Sequence, residues 1–204
     1  MREFVENEPI IIFWSRGIKP FHNLSNFALI PDGIEYDGIV YPSVEHAFQA
    51  QKLVKEQRNE FSVDGRFGKW EALKLLIDNK LNDDKKEKEY KRLYSYWSAK
   101  NNIGIIAKKV SSKINMKKLE LQINNKFEST NELWLGLLKK KFSIKYFADI
   151  IKSTGDLYLL EYDSNRFNSG EKSNSFWAGR IINNKLCGNN QMGKYLMEIR
   201  KSII

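Results

Sequence analysis

Residues 41–52 carry the sequence YPSVEHAFQAQK, which joins a strand-like tyrosine to a helix. Pro42 ends the strand, and Ser43 is a favourable helix N-cap because its short side chain can accept a backbone hydrogen bond. Over residues 44–55 there is no glycine or proline, and apolar and polar residues recur with helical period. We therefore predict a helix over residues 44–55.

Glu45, Gln49 and Lys52 are spaced so that their side chains project from one face of this helix. Glu45 lies in the first turn, where the helix dipole favours the carboxylate, whereas burial would favour the protonated acid. Alternatively, a glutamate in the first turn only stabilises the helix by complementing its dipole. The local sequence leaves four roles open for Glu45: a general base, an electrostatic stabiliser, a general acid and this purely structural role.

Upstream of the helix, short apolar runs alternate with turn residues. The runs cover residues 10–14, 27–30 and 39–41, and the dipeptides Asp32-Gly33 and Asp37-Gly38 favour hairpin turns between strands. We predict that these runs form a small antiparallel sheet.

Two loops combine polar groups with aromatic rings. Residues 24–27 (LSNF) precede a predicted strand, and such a segment is usually a turn with an anchoring aromatic ring. Residues 175–179 (SFWAG) place two aromatic residues before a glycine. Trp177 either covers the core or stacks on a planar ligand, since both gain from its large apolar surface.

Downstream of the predicted helix, the sequence indicates more helix than strand. Residues 56–126 form a lysine-rich helical excursion, and residues 163–174 form a polar loop. From residue 192 onward, apolar residues recur on one face of a C-terminal helix. The other predicted elements are helices near 70–77 and over 85–97, 131–142 and 146–152, and a strand over 157–162. We predict a single, compact, helix-rich α+β domain over residues 1–204.

The composition limits the class of protein. The 204 residues are 42% hydrophobic, which is enough for one domain with a sizeable core. The net charge of +9 is compatible with phosphate-bearing ligands, with nucleic acid, or with a solvated lysine-rich surface. The single cysteine, Cys187, excludes an internal disulfide, and no histidine or cysteine has metal-ligand spacing.

The apolar run at residues 9–14 is too short for a signal sequence or a membrane span. We expect a cytoplasmic protein that uses no metal and no cofactor and does not enter a membrane. Its oligomeric state is open.

Several segments resemble the NADAR family in their order and spacing. They are residues 24–27, 41–52, Trp177 and residues 190–200 (NQMGKYLMEIR), and residues 132–142 and 154–161 resemble two further blocks. The resemblance implies a compact, helix-rich α+β domain that cleaves N-glycosidic bonds. In one branch of the family the substrates are riboflavin-pathway intermediates, and in another they contain ADP-ribosylated guanine. The resemblance also implies that no metal takes part.

The resemblance implies that Glu45, in the family's proline-x-x-glutamate-histidine motif, is the central catalytic group. Lys52 on the same helix face would assist electrostatically, or would form a Schiff base with an opened ribose, which requires a lowered pKa. The substrate-binding residues implied are Trp14, Ser25, Asn26, Phe27, Gln49, Phe127, Asn174, Trp177, Asn190 and Gly193. Glu45, Asn26 and Trp177 are expected to line one pocket.

The sequence departs from the family pattern in three places. Where a tryptophan is expected upstream of Trp134, the chain has Lys126, and the neighbouring Phe127 would supply the stacking surface. Asn174 replaces an acidic residue, and Asp163 would supply the missing carboxylate as a third catalytic group. The family's glycine-arginine pair is not identifiable.

We expect a hydrolase that removes ADP-ribose from guanine in nucleic acid or in a nucleotide, since the basic surface suits a substrate carried on nucleic acid. One alternative is hydrolysis of ribosylaminopyrimidine phosphates of the riboflavin pathway. Others are a non-catalytic sensor of ADP-ribose or nucleotides and a basic nucleic-acid-binding module. Retention of Glu45 disfavours the two non-catalytic classes, because a pure binder has little use for a carboxylate near an anionic phosphate.

Overall fold

The computed structural model describes residues 3–5, 8–162 and 175–203. Over these residues the chain forms helices and short strands, which confirms the helix-rich α+β class. In chain order they are β1 (Ile10–Phe13), β2 (Ile34–Tyr36), β3 (Ile39–Tyr41), α1 (Val44–Gln51), α2 (Asp83–Ser98), α3 (Gly104–Val110), α4 (Lys113–Lys118), α5 (Asn131–Phe142), α6 (Lys145–Lys152), β4 (Tyr158–Glu161), β5 (Gly179–Ile182), β6 (Lys185–Gly188) and α7 (Gln191–Ile203). Short 3-10 helices cover Phe21–Leu24, Lys55–Phe61 and Trp70–Leu76.

The chain divides into two compact units. The first is built from both chain ends, Met1–Ser25 and Phe142–Ile204, and the second from Asn26–Lys141. That residues 1–204 behave as one domain stays a prediction.

In the first unit, β1 and β4 form a parallel two-stranded sheet, with Ile10 opposite Tyr158 and Phe13 opposite Glu161. The predicted antiparallel pairing of residues 10–14 is therefore wrong. The partner of β1 lies near the other end of the chain, and a parallel pair has no connecting turn that the local sequence could reveal.

The helix α7 packs on β4, and α6 packs on α7. The apolar face predicted for the C-terminal helix is confirmed, since Met192, Leu196 and Ile199 are all buried. A hairpin of β5 and β6 turns at Asn183 and Asn184, which both have positive φ, as a two-residue turn of this kind requires.

In the second unit, β2 and β3 form the hairpin predicted around Asp37-Gly38, and both turn residues have positive φ. The strand predicted over residues 27–30 is absent. Instead, the carbonyl of Phe27 accepts a hydrogen bond from the backbone of Gly104, and the N–H of Leu29 donates to the carbonyl of Asn101. The N–H of Ile30 donates to the carbonyl of Pro42. The backbone of this segment is thus bonded to the loop that leads into α3 and to Pro42, rather than to a strand of a sheet.

Ser43 caps α1, and its hydroxyl accepts a hydrogen bond from the backbone N–H of His46. The helix ends earlier than predicted, because the chain from Lys52 pairs with a distant segment. The carbonyl of Lys52 accepts from the N–H of Asn124, and Leu53 bridges to Ile123. Every residue of α1 is buried, so this short helix forms the centre of the second unit.

The lysine-rich excursion supplies α2, α3 and α4, together with two 3-10 helices. No residue of α2 is buried, which agrees with a solvated charged helix, whereas α3 packs on α1. Within the described ranges, no helix combines the length and the apolar character needed to cross a bilayer.

Candidate active site

The side chain of Glu45 is held by two amides inside the second unit. Only 3% of the residue is exposed. Asn26 donates from Nδ2 to Oε2 of Glu45 at 2.5 Å, and Gln49 donates from Nε2 to Oε1 at 2.7 Å. A carboxylate has about four acceptor positions, so each oxygen keeps acceptor capacity for a ligand or a water molecule.

Backbone contacts fix Glu45 from two further directions. Its N–H donates to the carbonyl of Asn26 at 3.0 Å. Gly104, the first residue of α3, lies so close that a Cβ placed on it would stand 2.5 Å from the Cα of Phe27 and 3.1 Å from the Cβ of Glu45. The loop that carries Asn26 and Phe27, the helix α1 and the start of α3 therefore converge on this carboxylate.

The charges around Glu45 oppose the effect of its burial. Burial raises the pKa of Glu45, while the Lys108 ammonium, the hydrogen bond from Gln49 and the Lys52 ammonium lower it. Burial lowers the pKa of Lys52, although Glu45 raises it, and the like charge of Lys108 lowers it further. Such opposing influences are typical of groups that exchange protons or stabilise a developing charge.

An aromatic cluster lies beside Lys52. The Lys52 ammonium stands 4.9 Å from the ring centroid of Phe48, and Phe48 stacks on Trp134 at 4.0 Å. Phe127 contacts the ring of Phe48 edge-on, with the ring centroids 5.7 Å apart. The N–H of Phe127 donates to the carbonyl of Asn124, and the N–H of Asn124 donates to the carbonyl of Lys52. The structure therefore places Phe127 next to the helix that carries Glu45.

His46 follows Glu45 in the sequence motif, but it has a structural role. It is fully buried, and its ring nitrogens contact the hydroxyl of Ser43 at 2.8 Å and the carbonyl of Phe67 at 3.1 Å. A carbonyl can only accept, so Nε2 carries the proton and Nδ1 accepts from Ser43. Burial lowers the pKa of His46 to about 4, so the imidazole stays neutral near neutral pH.

Sequence reasoning missed Gly104 and Lys108, which act on Glu45, and it missed Asn102, a buried amide in the loop that leads into α3. Lys108 was hidden in a lysine-rich stretch, and only the packing of α3 on α1 brings it to the carboxylate. Asn102 is 1% exposed, and neither its side-chain nitrogen nor its oxygen has a hydrogen-bond partner among the described residues. A buried amide without partners is rare, but no local pattern identifies one before the fold is known.

The other predicted residues that the structure describes lie in the first unit. Trp14 is partly buried, and its ring centroid is 5.4 Å from that of Tyr162. Trp177 is also partly buried, in edge-on contact with Phe176 at 4.9 Å. Ser25 directly follows the 3-10 helix Phe21–Leu24, and it is buried. Rings that keep an exposed surface, such as these two tryptophans, can stack on a ligand.

Asn190 and Gly193 have clear packing roles in the first unit. The side chain of Asn190 accepts from the N–H of Glu161 and donates to the carbonyl of Leu159 and the hydroxyl of Tyr158. A Cβ on Gly193 would collide with the carbonyl oxygen of Leu159, so glycine lets α7 approach β4 closely. A role of either residue in substrate binding stays a prediction.

Asp163 and Asn174 lie outside the described residues. The shared pocket of Glu45, Asn26 and Trp177 stays a prediction. Within the described part of the chain, no three side chains of histidine, cysteine, aspartate or glutamate are grouped to hold a metal ion.

Together, the fold and the site define a helix-rich α+β protein with a buried carboxylate held by amides and faced by lysines. The structure is similar to the NMR structure of the E. coli protein YbiA, with a TM-score of 0.53 and 21% sequence identity. The similarity covers 98% of this chain and 88% of that chain. This similarity supports the NADAR-like fold predicted from the sequence, and it concerns the fold and not the activity. No protein-family profile matches the sequence, and no curated protein matches it significantly.

Proposed function

We propose that this protein is an N-glycosidase that hydrolyses the bond between a ribose and a base, and that it removes ADP-ribose from guanine in nucleic acid or in a nucleotide. The observation that supports the proposal most strongly is the environment of the Glu45 side chain. This buried carboxylate is held at both oxygens by Asn26 and Gln49 and lies within the electrostatic influence of two lysines. The NADAR resemblance and the fold likeness support the class of reaction.

The reaction needs a group that responds to charge on the sugar. As the C–N bond breaks, its electron pair stays with the base nitrogen, and positive charge develops on the ribose ring. The Glu45 carboxylate stabilises this charge and accepts a proton from the water molecule whose oxygen bonds to the anomeric carbon. The base nitrogen takes up a proton from solvent, and Glu45 returns to solvent the proton that it accepted from water. The products are therefore the unmodified base and a ribose with a new hydroxyl group on its anomeric carbon.

Lys52 stabilises the negative charge that develops on the departing base. Its partial burial and its nearness to Glu45 suit this electrostatic role, because a charge acts more strongly where water is excluded. A Schiff base between Lys52 and an opened ribose is the alternative, and the lowered pKa of Lys52 would serve it too. Trapping with borohydride distinguishes the two, because only the Schiff base gives a reduced, covalently modified Lys52.

Phe127 provides an aromatic surface for the base. It is partly exposed and lies against the ring of Phe48, beside the proposed catalytic helix. Stacking on an aromatic side chain is worth about 1–3 kcal/mol per base. Phe127 would thus take over the role of the tryptophan that the family has upstream of Trp134.

A panel of substrates tests the proposal. The protein is incubated with guanine-ADP-ribosylated oligonucleotide, NAD, ADP-ribose and ribosylaminopyrimidine phosphates, and products are followed by mass spectrometry. Release of ADP-ribose with restoration of guanine supports the proposal. Release of a pyrimidine instead identifies the metabolite hydrolase, and binding without any product identifies the sensor.

The salt dependence of binding tests whether nucleic acid carries the substrate. Each phosphate neutralised by a lysine releases condensed counterion, so affinity for an ADP-ribosylated oligonucleotide should fall steeply with salt. A mononucleotide should show a shallow dependence. Equal, shallow slopes for the two ligands would contradict a substrate on nucleic acid, and they would be compatible with N-glycosidase activity on a small molecule.

A further inference from the structure

Lys108 approaches the same carboxylate as Lys52, but from another helix. Gly104 begins α3 against the Cβ of Glu45, and Lys108 follows one helical turn later on the same face. The Lys108 ammonium acts on the charges of both Glu45 and Lys52. Lys108 is exposed, so a ligand from solution can reach it.

This cluster of Glu45, Lys52 and Lys108 holds more positive than negative charge. One carboxylate faces two ammonium groups, and the two ammonium groups repel each other. In the part of the chain that the structure describes, neither lysine forms a close ion pair with a carboxylate. An anion bound at the exposed Lys108 would relieve this repulsion and accept charge-assisted hydrogen bonds from its ammonium group.

The amide of Gln49 adds a different chemistry next to the same carboxylate. Its Nε2 donates to Glu45, which places its Oε1 close by, and this oxygen has no hydrogen-bond partner among the described residues. A buried acceptor of this kind is satisfied by a hydroxyl or amino donor of a ligand. The cluster therefore combines hydrogen-bond acceptors for hydroxyl groups with cations for an anionic group, and a sugar phosphate carries both.

We propose that Lys108 forms a phosphate subsite, which holds a phosphoryl group of the substrate while its ribose lies at Glu45 and Lys52 faces the departing base. The subsite rests on the proposed function and deepens it, because it assigns a residue of this chain to the phosphate that the proposed substrates carry. Lys108 acts by charge and hydrogen bonding, and no covalent step is involved.

Ribose 5-phosphate and ribose are the probes, and NMR chemical-shift titration of the full chain at low ionic strength measures their affinities. The wild type is expected to bind ribose 5-phosphate more tightly than ribose. Lys108→Met should weaken ribose 5-phosphate binding by about tenfold, as expected for the loss of one charge-assisted contact, and should leave ribose binding unchanged. Lys109→Met is the matched control, because Lys109 is an exposed neighbour on α3 that exerts no resolved influence on Glu45 or Lys52.

Equal affinity of the wild type for the two probes would overturn the subsite, and so would equal effects of Lys108→Met and Lys109→Met. Both variants replace exposed residues, and thermal unfolding checks that they fold. The binding assay is independent of turnover. Phosphate preference that depends on Lys108 without any hydrolysis keeps the subsite and rejects the N-glycosidase, whereas hydrolysis without that preference does the reverse.

Discussion

Asn26 and Glu45 are joined by two hydrogen bonds of opposite direction. The backbone N–H of Glu45 donates to the carbonyl of Asn26 at 3.0 Å, and the side-chain amide of Asn26 donates to Oε2 of Glu45 at 2.5 Å. The first bond sets where the helix begins relative to the preceding loop, and the second sets the orientation of the carboxylate. Asn26 is thus a positioning residue for the proposed catalytic group.

Asn26→Ala should lower kcat by roughly 10–100-fold, which corresponds to the loss of a hydrogen bond to a charged group. The variant should also raise the pKa of Glu45, because a bond to the ionised form is lost, so the acid limb of the pH–rate profile should move to higher pH. Asn59→Ala, an exposed asparagine in the same unit, is the control. A fall in rate with an unchanged profile would contradict the positioning role.

Gly104→Ala should disturb the site, because the added Cβ would meet the backbone of Phe27 at 2.5 Å and the side chain of Glu45 at 3.1 Å. Overpacking of this kind costs about 1–3 kcal/mol of unfolding free energy, measured by denaturant titration. Gly136→Ala in α5 is the matched control, since nothing lies within 4 Å of its added Cβ. It should be neutral or stabilise the helix by about 1 kcal/mol. Equal effects of the two substitutions would contradict the close approach of α3 to α1.

The sequence predicted α5 and most of α7, because each has a long, periodic apolar face that its own residues specify. It also predicted that Glu45 and Gln49 share one helix face, because residues four positions apart project from the same side of a helix. It failed for residues 27–30, because the backbone partners of Phe27 and Leu29 lie beyond α2, and for β1, because its partner is β4. It also missed Lys108, since one lysine among many becomes notable only when packing brings it to a carboxylate.

The free energy of unfolding should decrease on acidification partly because of His46. The pKa of its imidazole is about 4 in the folded chain, compared with 6.5 for an unperturbed histidine. The folded state therefore prefers the neutral ring, so the stabilisation is complete above about pH 6.5 and is lost as the pH falls toward 4. The difference between these two pKa values corresponds to about 3 kcal/mol of unfolding free energy. NMR of the imidazole provides the check, and titration of His46 near pH 6.5 in the folded protein would contradict its buried, neutral state.

The most direct test of the account compares wild type with Glu45→Gln under single-turnover conditions, using the substrate that the panel identifies. Glutamine keeps the size and part of the hydrogen bonding of Glu45 but removes its charge and its proton exchange, so the rate should fall by about 100-fold or more. Affinity should survive or tighten slightly, because a carboxylate that repels substrate phosphates is gone. Glu56→Gln, which removes an exposed carboxylate in the same unit, should leave both quantities unchanged. Near-normal turnover by Glu45→Gln would contradict the account, because it would remove the carboxylate at the centre of the site from the chemistry.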